Sequence, residues 1–229
     1  MQIKNRNILN LILLFNLFLF SINANAEEFN ITADEIIIDK ENEIIIGKGS
    51  VKAEDSNGRI ISADKITYEK TKEFLLAEKN VKIFDVNGNI LKTNKATYDK
   101  LEELIKTFSF TEIITVEGYK IQSKNISYLI NKKILSSNEE SILSDDDGNI
   151  IKTSMFQFNL ENYLFSSIGK IKITDIKNNK YFFKELHVNT KKKEMVGSDI
   201  SAVLDQKTFG LTKKNDPRLC DIDIIDYKH

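Results

Sequence analysis

The side chains that carry most enzyme chemistry are scarce in this chain. It holds two histidines, His187 and His229, and one cysteine, Cys220. His187 falls at an outward-facing site of a strand pattern, and His229 is the last residue. No nucleophile elbow, phosphate loop or metal-ligand spacing is present. The chain is therefore not expected to be an enzyme, and no cofactor or metal is expected. A single thiol closes no internal disulfide, and Cys220, near the end of the chain, reads as incidental. The run Asp145-Asp146-Asp147 is followed by Gly148. It lacks the spacing and the distal glutamate of a calcium loop, so a hairpin turn is expected there. With 33 basic and 34 acidic residues the charges nearly cancel, which leaves no basic footprint for nucleic acid.

What remains is the chemistry of apolar surface, and it repeats every thirty residues. Cut at 31, 61, 91, 121, 151 and 181, the chain gives ITADEIIID, ISADKITYE, LKTNKATYD, IQSKNISYL, IKTSMFQFN and YFFKELHVN. The first column is Ile31, Ile61, Leu91, Ile121, Ile151 and Tyr181. The sixth is Ile36, Ile66, Ala96, Ile126, Phe156 and Leu186, and the eighth is Ile38, Tyr68, Tyr98, Tyr128, Phe158 and Val188. The fifteenth is Ile45, Leu75, Ile105, Leu135, Phe165 and Met195. No column contains a charge. Such a lining suits acyl chains, each buried methylene contributing about 0.8 kcal/mol. The candidate groove residues are Ile36, Ile38, Ile45, Ile66, Tyr68, Leu75, Tyr98, Ile105, Ile126, Tyr128, Leu135, Phe156, Phe158 and Phe165. The same pattern also describes a closed, dry β core, and that alternative stays open.

The elements that position these columns are strands. Sixth and eighth positions lie two apart and share one face of a sheet. β-Branched and aromatic residues dominate them. Gly58, Gly88, Gly118 and Gly148 lie thirty apart. Asn57-Gly58, Asn87-Gly88 and Asp147-Gly148 predict type I′ hairpins, with Asn178-Asn179 in the same place in the fifth repeat. Gly118 follows Glu117, so the third turn is expected to differ. A second turn is predicted near Lys40–Asn42, Lys70–Lys72, Lys100–Glu102, Asn131–Lys132, Leu160–Asn162 and Lys191–Lys193. Each unit thus reads as two antiparallel strands, about twelve in all. Parity switches between Ala33 and Ile36 and between Ala63 and Ile66, which predicts a β-bulge at each site. An array of this kind also leaves strand edges at both ends, which invite pairing with another chain.

The N-terminus has the three marks of a secretory signal peptide. Lys4 and Arg6 precede an apolar run from Ile8 to Ile22, and Ala24 and Ala26 form an A-x-A site before Glu27. The run is short of the roughly 20 residues that a spanning helix needs. Cleavage after Ala26 removes two of the 33 basic residues and leaves 31 against 34 acidic ones, a formal charge of −3.

Ile31-Thr32-Ala33-Asp34-Glu35-Ile36 and Ile61-Ser62-Ala63-Asp64-Lys65-Ile66-Thr67-Tyr68 resemble the repeat of the OstA-like lipopolysaccharide-transport family. That family includes LptA and the N-terminal periplasmic domain of LptD. Gly47-Lys48-Gly49-Ser50-Val51 resembles its G-x-G-x-V step, echoed by Ala77-Glu78-Lys79-Asn80-Val81. The resemblance covers residues 27–218 and leaves 219–229 as a tail. It implies an all-β fold, an open twisted β-jelly roll of about six 30-residue antiparallel two-strand repeats. It also implies a periplasmic module that binds lipopolysaccharide by its lipid A acyl chains. Such a module passes the lipid toward the outer membrane and joins other OstA-like Lpt proteins by edge-strand pairing. Six repeats, and the stretch Lys213-Lys214-Asn215-Asp216-Pro217-Arg218, resemble the LptD version at the point where it runs on toward its membrane barrel. A barrel of some two dozen strands of about 10 residues does not fit in the residues after Arg218. The expectation is a stand-alone homologue or a truncated LptD, associated with the outer membrane in the second case. The competing expectation is a structural or adhesive β-repeat protein, such as a solenoid with a closed core. Hairpin turns, which make strands antiparallel, argue against the parallel coils of a solenoid.

Overall fold

The structure, a computed structural model, describes residues 29–204. The signal segment 1–26, Cys220, His229 and the tail 219–229 lie outside the described residues. Each thirty-residue unit forms two antiparallel legs. β1 (Asn30–Thr32) and β2 (Glu35–Asp39) make the first leg. β3 (Ile44–Glu54), β4 (Ile60–Glu69), β5 (Phe74–Phe84) and β6 (Ile90–Asp99) are one unbroken leg each. The next four legs are each split in two. They are β7 (Leu104–Thr107) with β8 (Phe110–Ile114), and β9 (Lys120–Lys124) with β10 (Ser127–Leu129). β11 (Ile134–Ser137) with β12 (Ser141–Ser144), and β13 (Ile150–Thr153) with β14 (Phe156–Asn159), come next. β15 (Leu164–Thr174) and β16 (Lys180–Asn189) are unbroken, and β17 (Glu194–Ser198) with β18 (Ser201–Val203) makes the twelfth leg.

Every leg pairs antiparallel with the next, as a plain meander. Among the described residues no pairing joins the first leg to the last. The parallel-coil solenoid is thereby set aside. One row of side chains crosses all twelve legs. It runs from Ile38 through Ile45, Tyr68, Leu75, Tyr98, Ile105, Tyr128, Leu135, Phe158, Phe165 and Val188 to Met195. The eighth and fifteenth columns of the sequence repeat are thus one continuous stripe.

The glycine turns differ from the predicted type I′ hairpins. Gly58 N–H donates to the Asp55 carbonyl and Asp55 N–H to the Arg59 carbonyl. The glycine alone is left-handed, with φ of 82° at Gly58 and 91° at Gly88, while Asn57 and Asn87 keep negative φ. This is a type I turn closed by a left-handed glycine, the form that three-residue hairpin loops take. The device that selects it is an aspartate two residues before the asparagine. Asp55 Oδ1 accepts from Asn57 N (3.0 Å) and Arg59 N (2.8 Å), and Asp85 Oδ1 does the same for Asn87 N and Asn89 N. Asp145 and Asp175 repeat the cap. The third turn, expected to differ, has the same backbone bonds and a left-handed Gly118 (φ 87°), because the residue before the glycine keeps negative φ and Thr115 supplies the cap in place of aspartate. In the fifth repeat the left-handed residue is Asn178 (φ 62°) alone, with Asn179 in the position of Asn89.

The parity switch is real, and the extra residues sit on the partner legs. Pairing is interrupted between Lys48 and Val51 and between Glu78 and Val81. There Gly49, Ser50, Lys79 and Asn80 are all left-handed. The two family-like motifs meet at these kinks. Asp34 N–H donates to the Gly49 carbonyl, and the Asp34 carboxylate lies where a Cβ on Gly49 would stand. A Cβ on Gly47 would come within 2.8 Å of Val51, so this position also needs glycine. In the second repeat Asn80 Nδ2 donates to Asp64 Oδ2 at 2.8 Å. In the split legs the kink is held by buried hydroxyls instead. Thr111 Oγ1 lies 2.8 Å from Thr107 Oγ1, and Ser141 Oγ lies 2.7 Å from Ser123 Oγ. Ser137 and Ser167 donate to the carbonyls of Lys124 and Met155. A broken ladder leaves backbone carbonyls without partners, and these side chains satisfy them.

The kinks fold every leg double, so that the two rims of turns approach each other. Arg59, in a glycine turn, donates from Nη1 to the Tyr98 hydroxyl (2.8 Å) at the far end of the fifth leg. The core fills the space between the two half-sheets, with Ile66, Leu75, Ile105, Ile121, Phe156 and Leu186 almost fully buried. Full burial of such a side chain contributes about 1.5–3 kcal/mol.

Candidate binding cavity

The space between the half-sheets is closed at the N-terminal end and open at the C-terminal end. At the N-terminal end Phe29 lies edge-on to Tyr68 (5.0 Å) and to Tyr98 (5.8 Å). Arg59 completes the closure. Its Nη1 is 2.7 Å from Asp55 Oδ2, both side chains are buried, and its guanidinium sits 5.0 Å from the Tyr98 ring centre. Burial pushes the Tyr98 phenol up, against the pull of the Arg59 charge. Arg59 Nε is buried without a partner among the described residues. Beside it lies a void of about 40 Å³ lined by Ile105, Tyr128 and Leu135 among others.

Past the middle of the molecule lies a larger cavity of about 650 Å³, lined by other residues and within the range of about 300–1,000 Å³ typical of ligand pockets. Phe158 and Phe165 form its floor, their rings 6.4 Å apart and edge to face, and Tyr119 meets Phe158 in the same way. Leu143, Ile151, Ile173, Tyr181 and Phe183 line it from the other half-sheet, and Val188 and Met195 continue the floor toward the last leg. Met195 is 52% exposed. The lip carries Glu117, Asp145, Asp146, Asp147, Asp175 and Glu194, with Lys193 the only basic residue in the lining among the described residues. Burial raises the proton affinity of Asp175. Hydrogen bonds from Asn179, Lys177 and Tyr181 outweigh it and hold the carboxyl below its usual range. Burial and that carboxylate together push the Tyr181 phenol up.

The fourteen groove candidates separate into three groups. Ile66, Tyr68, Leu75, Tyr98, Ile105, Ile126, Leu135 and Phe156 are buried in packed core, and Ile45 and Tyr128 are half-buried beside it. Phe158 and Phe165 reach the large cavity. Ile36 and Ile38 are 45% and 60% exposed, because among the described residues the first leg pairs on one side only. The sequence columns located the inward face but not the cavity. Its roof uses the first column and the residues two before the glycine turns, such as Leu143 and Ile173. Phe183 stands where earlier repeats carry Ala33, Ala63, Thr93, Ser123 and Thr153. That change from small to aromatic at one repeat position is the signal that was available. His187 is outward, its ring bonded to Ser166 and Glu185. Among the described residues no three His, Cys, Asp or Glu side chains are grouped to hold a metal. No helix among them is long and apolar enough to cross a membrane.

No protein-family model matches the chain. No curated protein matches it either. Among solved structures the chain is similar to LptH of Pseudomonas aeruginosa, described as the LptA-homologous periplasmic component of the lipopolysaccharide transport device. The identity is 10%, the match covers 78% of this chain and 96% of that one, and the TM-score is 0.25. It is also similar to the TCP10 domain of Danio rerio CPAP in complex with a STIL peptide. There the identity is 12%, coverage 62% and 89%, and the TM-score 0.14. Likenesses this loose leave function to the geometry of the chain itself.

Proposed function

We propose that this chain is a periplasmic lipid-carrying module. It holds the acyl chains of an amphiphile such as lipopolysaccharide between its half-sheets and passes them along an open jelly roll toward the outer membrane. The observation that carries the reading is the C-terminal cavity, apolar on both walls and open to solvent at its lip. A closed, dry core packs with few voids larger than a water molecule, so a space of this size is unlike one. The OstA-like motifs at the kinks, Ala33-Asp34 against Gly47-Lys48-Gly49, support the same class of protein. Among the described residues the outer edges of the first and last legs are unpaired, and they are the surfaces by which other OstA-like modules would join it. The packed N-terminal end favours a second reading, a structural β-repeat protein with a closed core.

The test is photo-crosslinking to lipopolysaccharide. A photoreactive residue replaces Met195 or Phe165, with Lys95, which faces outward beside Glu78, as control. Adducts at the first two positions and none at Lys95 are expected. A folded protein that gives no adduct at any position supports the structural-repeat reading instead.

A further inference from the structure

One repeat position governs the mouth between the two rims of turns. It lies two residues before each thirty-residue unit begins and carries Phe29, Arg59, Asn89, Tyr119 and Asn149. Three of these side chains reach across to the eighth column, and each meets the residue 39 positions further on. The Phe29 ring meets Tyr68 at 5.0 Å between centres, Arg59 Nη1 donates to the Tyr98 hydroxyl at 2.8 Å, and the Tyr119 ring meets Phe158 at 6.4 Å. The other two turn back. Asn89 Nδ2 donates to Asp85 Oδ2 at 2.7 Å and Asn149 Nδ2 to Asp145 Oδ2 at 2.8 Å. Their eighth-column counterparts are Tyr128 and Val188. Asn89 and Tyr128 both line the small void, and Asn149 and Val188 both line the large cavity. The mouth is bridged where this position carries a ring or a guanidinium, and a void is found where it carries asparagine.

Tyr119 stands between the two voids. Its side chain lines the large cavity, while Thr115, whose Oγ1 accepts from Tyr119 N–H, lines the small one. On the opposite rim Phe158 lines the large cavity, and its paired neighbour Leu135 lines the small one. An alkyl chain that enters at the C-terminal lip and runs toward the middle of the molecule therefore meets the Tyr119–Phe158 pair.

We infer that Tyr119, resting on Phe158, is the stop that limits the length of alkyl chain the C-terminal cavity takes. The inference rests on the lipid-carrying reading and adds a chain-length limit to it. Each methylene held inside the cavity tightens binding about four-fold, and each one beyond the stop stays in water and adds nothing. With asparagine at 119, as at 89 and 149, the space continues toward the small void beside Arg59, and longer chains gain again.

The experiment is displacement of N-phenylnaphthylamine, a neutral apolar fluorescent probe, by alkyl maltosides from octyl to tetradecyl, each below its micelle-forming concentration. The head group is constant, so the series reads chain length alone. The native protein should gain about four-fold per methylene up to a break, beyond which affinity is flat. Tyr119→Asn should move the break to a longer chain, and Tyr119→Phe, which keeps the ring, should leave it in place. Asn149→Tyr sets a ring opposite Val188 and should lower probe binding at least ten-fold, which tests the same position without altering Tyr119. A break at one length in the native protein and Tyr119→Asn, or no break in either, overturns the proposal and leaves the lipid-carrying reading standing. So does unchanged probe binding in Asn149→Tyr. No probe binding, or no displacement by any maltoside, in the native protein overturns both.

Discussion

The two ends of the molecule are built from one repeat and finished in opposite ways. In the N-terminal legs the kinks are made by left-handed pairs, Gly49-Ser50 and Lys79-Asn80, and small residues such as Gly47 and Ala77 let the half-sheets close tightly. Phe29 and the Arg59–Asp55–Tyr98 group then cover the opening. In the middle legs the kinks are hydroxyl ladders, which hold the bend with short strands on either side. At the C-terminal end Phe158, Phe165 and Phe183 line an open cavity, and no counterpart of Phe29 or Arg59 lies across the lip among the described residues. The difference shows that a repeat sets the path of the chain, while side-chain volume at a few positions sets whether the space inside is filled.

The largest effect is expected at the closed end. Arg59→Met leaves the Asp55 carboxylate buried without its partner and should cost about 3–5 kcal/mol. Combined Arg59→Met and Asp55→Asn should recover part of that loss in urea unfolding. A single replacement that costs nothing would mean that the group does not seal the N-terminal end.

Next comes a matched pair in the continuous row. Leu75 is almost fully buried and Met195 half-exposed. Leu75→Ala should cost about 2–5 kcal/mol, whereas Met195→Ala should stay within about 0.5 kcal/mol, as surface positions do. Equal losses would erase the distinction between filled core and open cavity.

The smallest effect is one of acid stability. Asp175 holds its proton less tightly in the folded state than its ordinary value of 3.8. Its stabilising share is therefore present above that value and is lost as pH falls through the lower folded value. Asp175→Asn should flatten this part of the acid limb in a thermal melt series. Loss of stability near neutral pH with the acid limb unchanged would assign Asp175 a role independent of its charge.

The period of thirty, the antiparallel legs and the inward face were legible in the sequence, because a strand must alternate its side chains and a hairpin needs residues that tolerate its turn. The turn type was not legible from Asn57-Gly58, because the deciding group is Asp55 two residues before the asparagine, whose carboxylate caps the loop. Parity points to a bulge on the Ala33-Asp34 leg, while the extra residues belong to Gly49 and Ser50 opposite it. Parity within one strand reports a change of face but not which partner supplies the added residue. The hydroxyl ladder of Thr93, Thr107, Thr111, Ser123, Ser137 and Ser141 was hidden, because small polar residues inside a strand pattern look like solvent-facing ones.

By itself the sequence determined the meander and which side chains line it, since both depend on local spacing and turn chemistry. Only the tertiary structure decided where the lining is packed and where it is open. Closure depends on contacts between residues far apart in the chain, such as Arg59 with Tyr98, while at the other end Phe158, Phe165 and Phe183, brought from separate legs, line an open cavity.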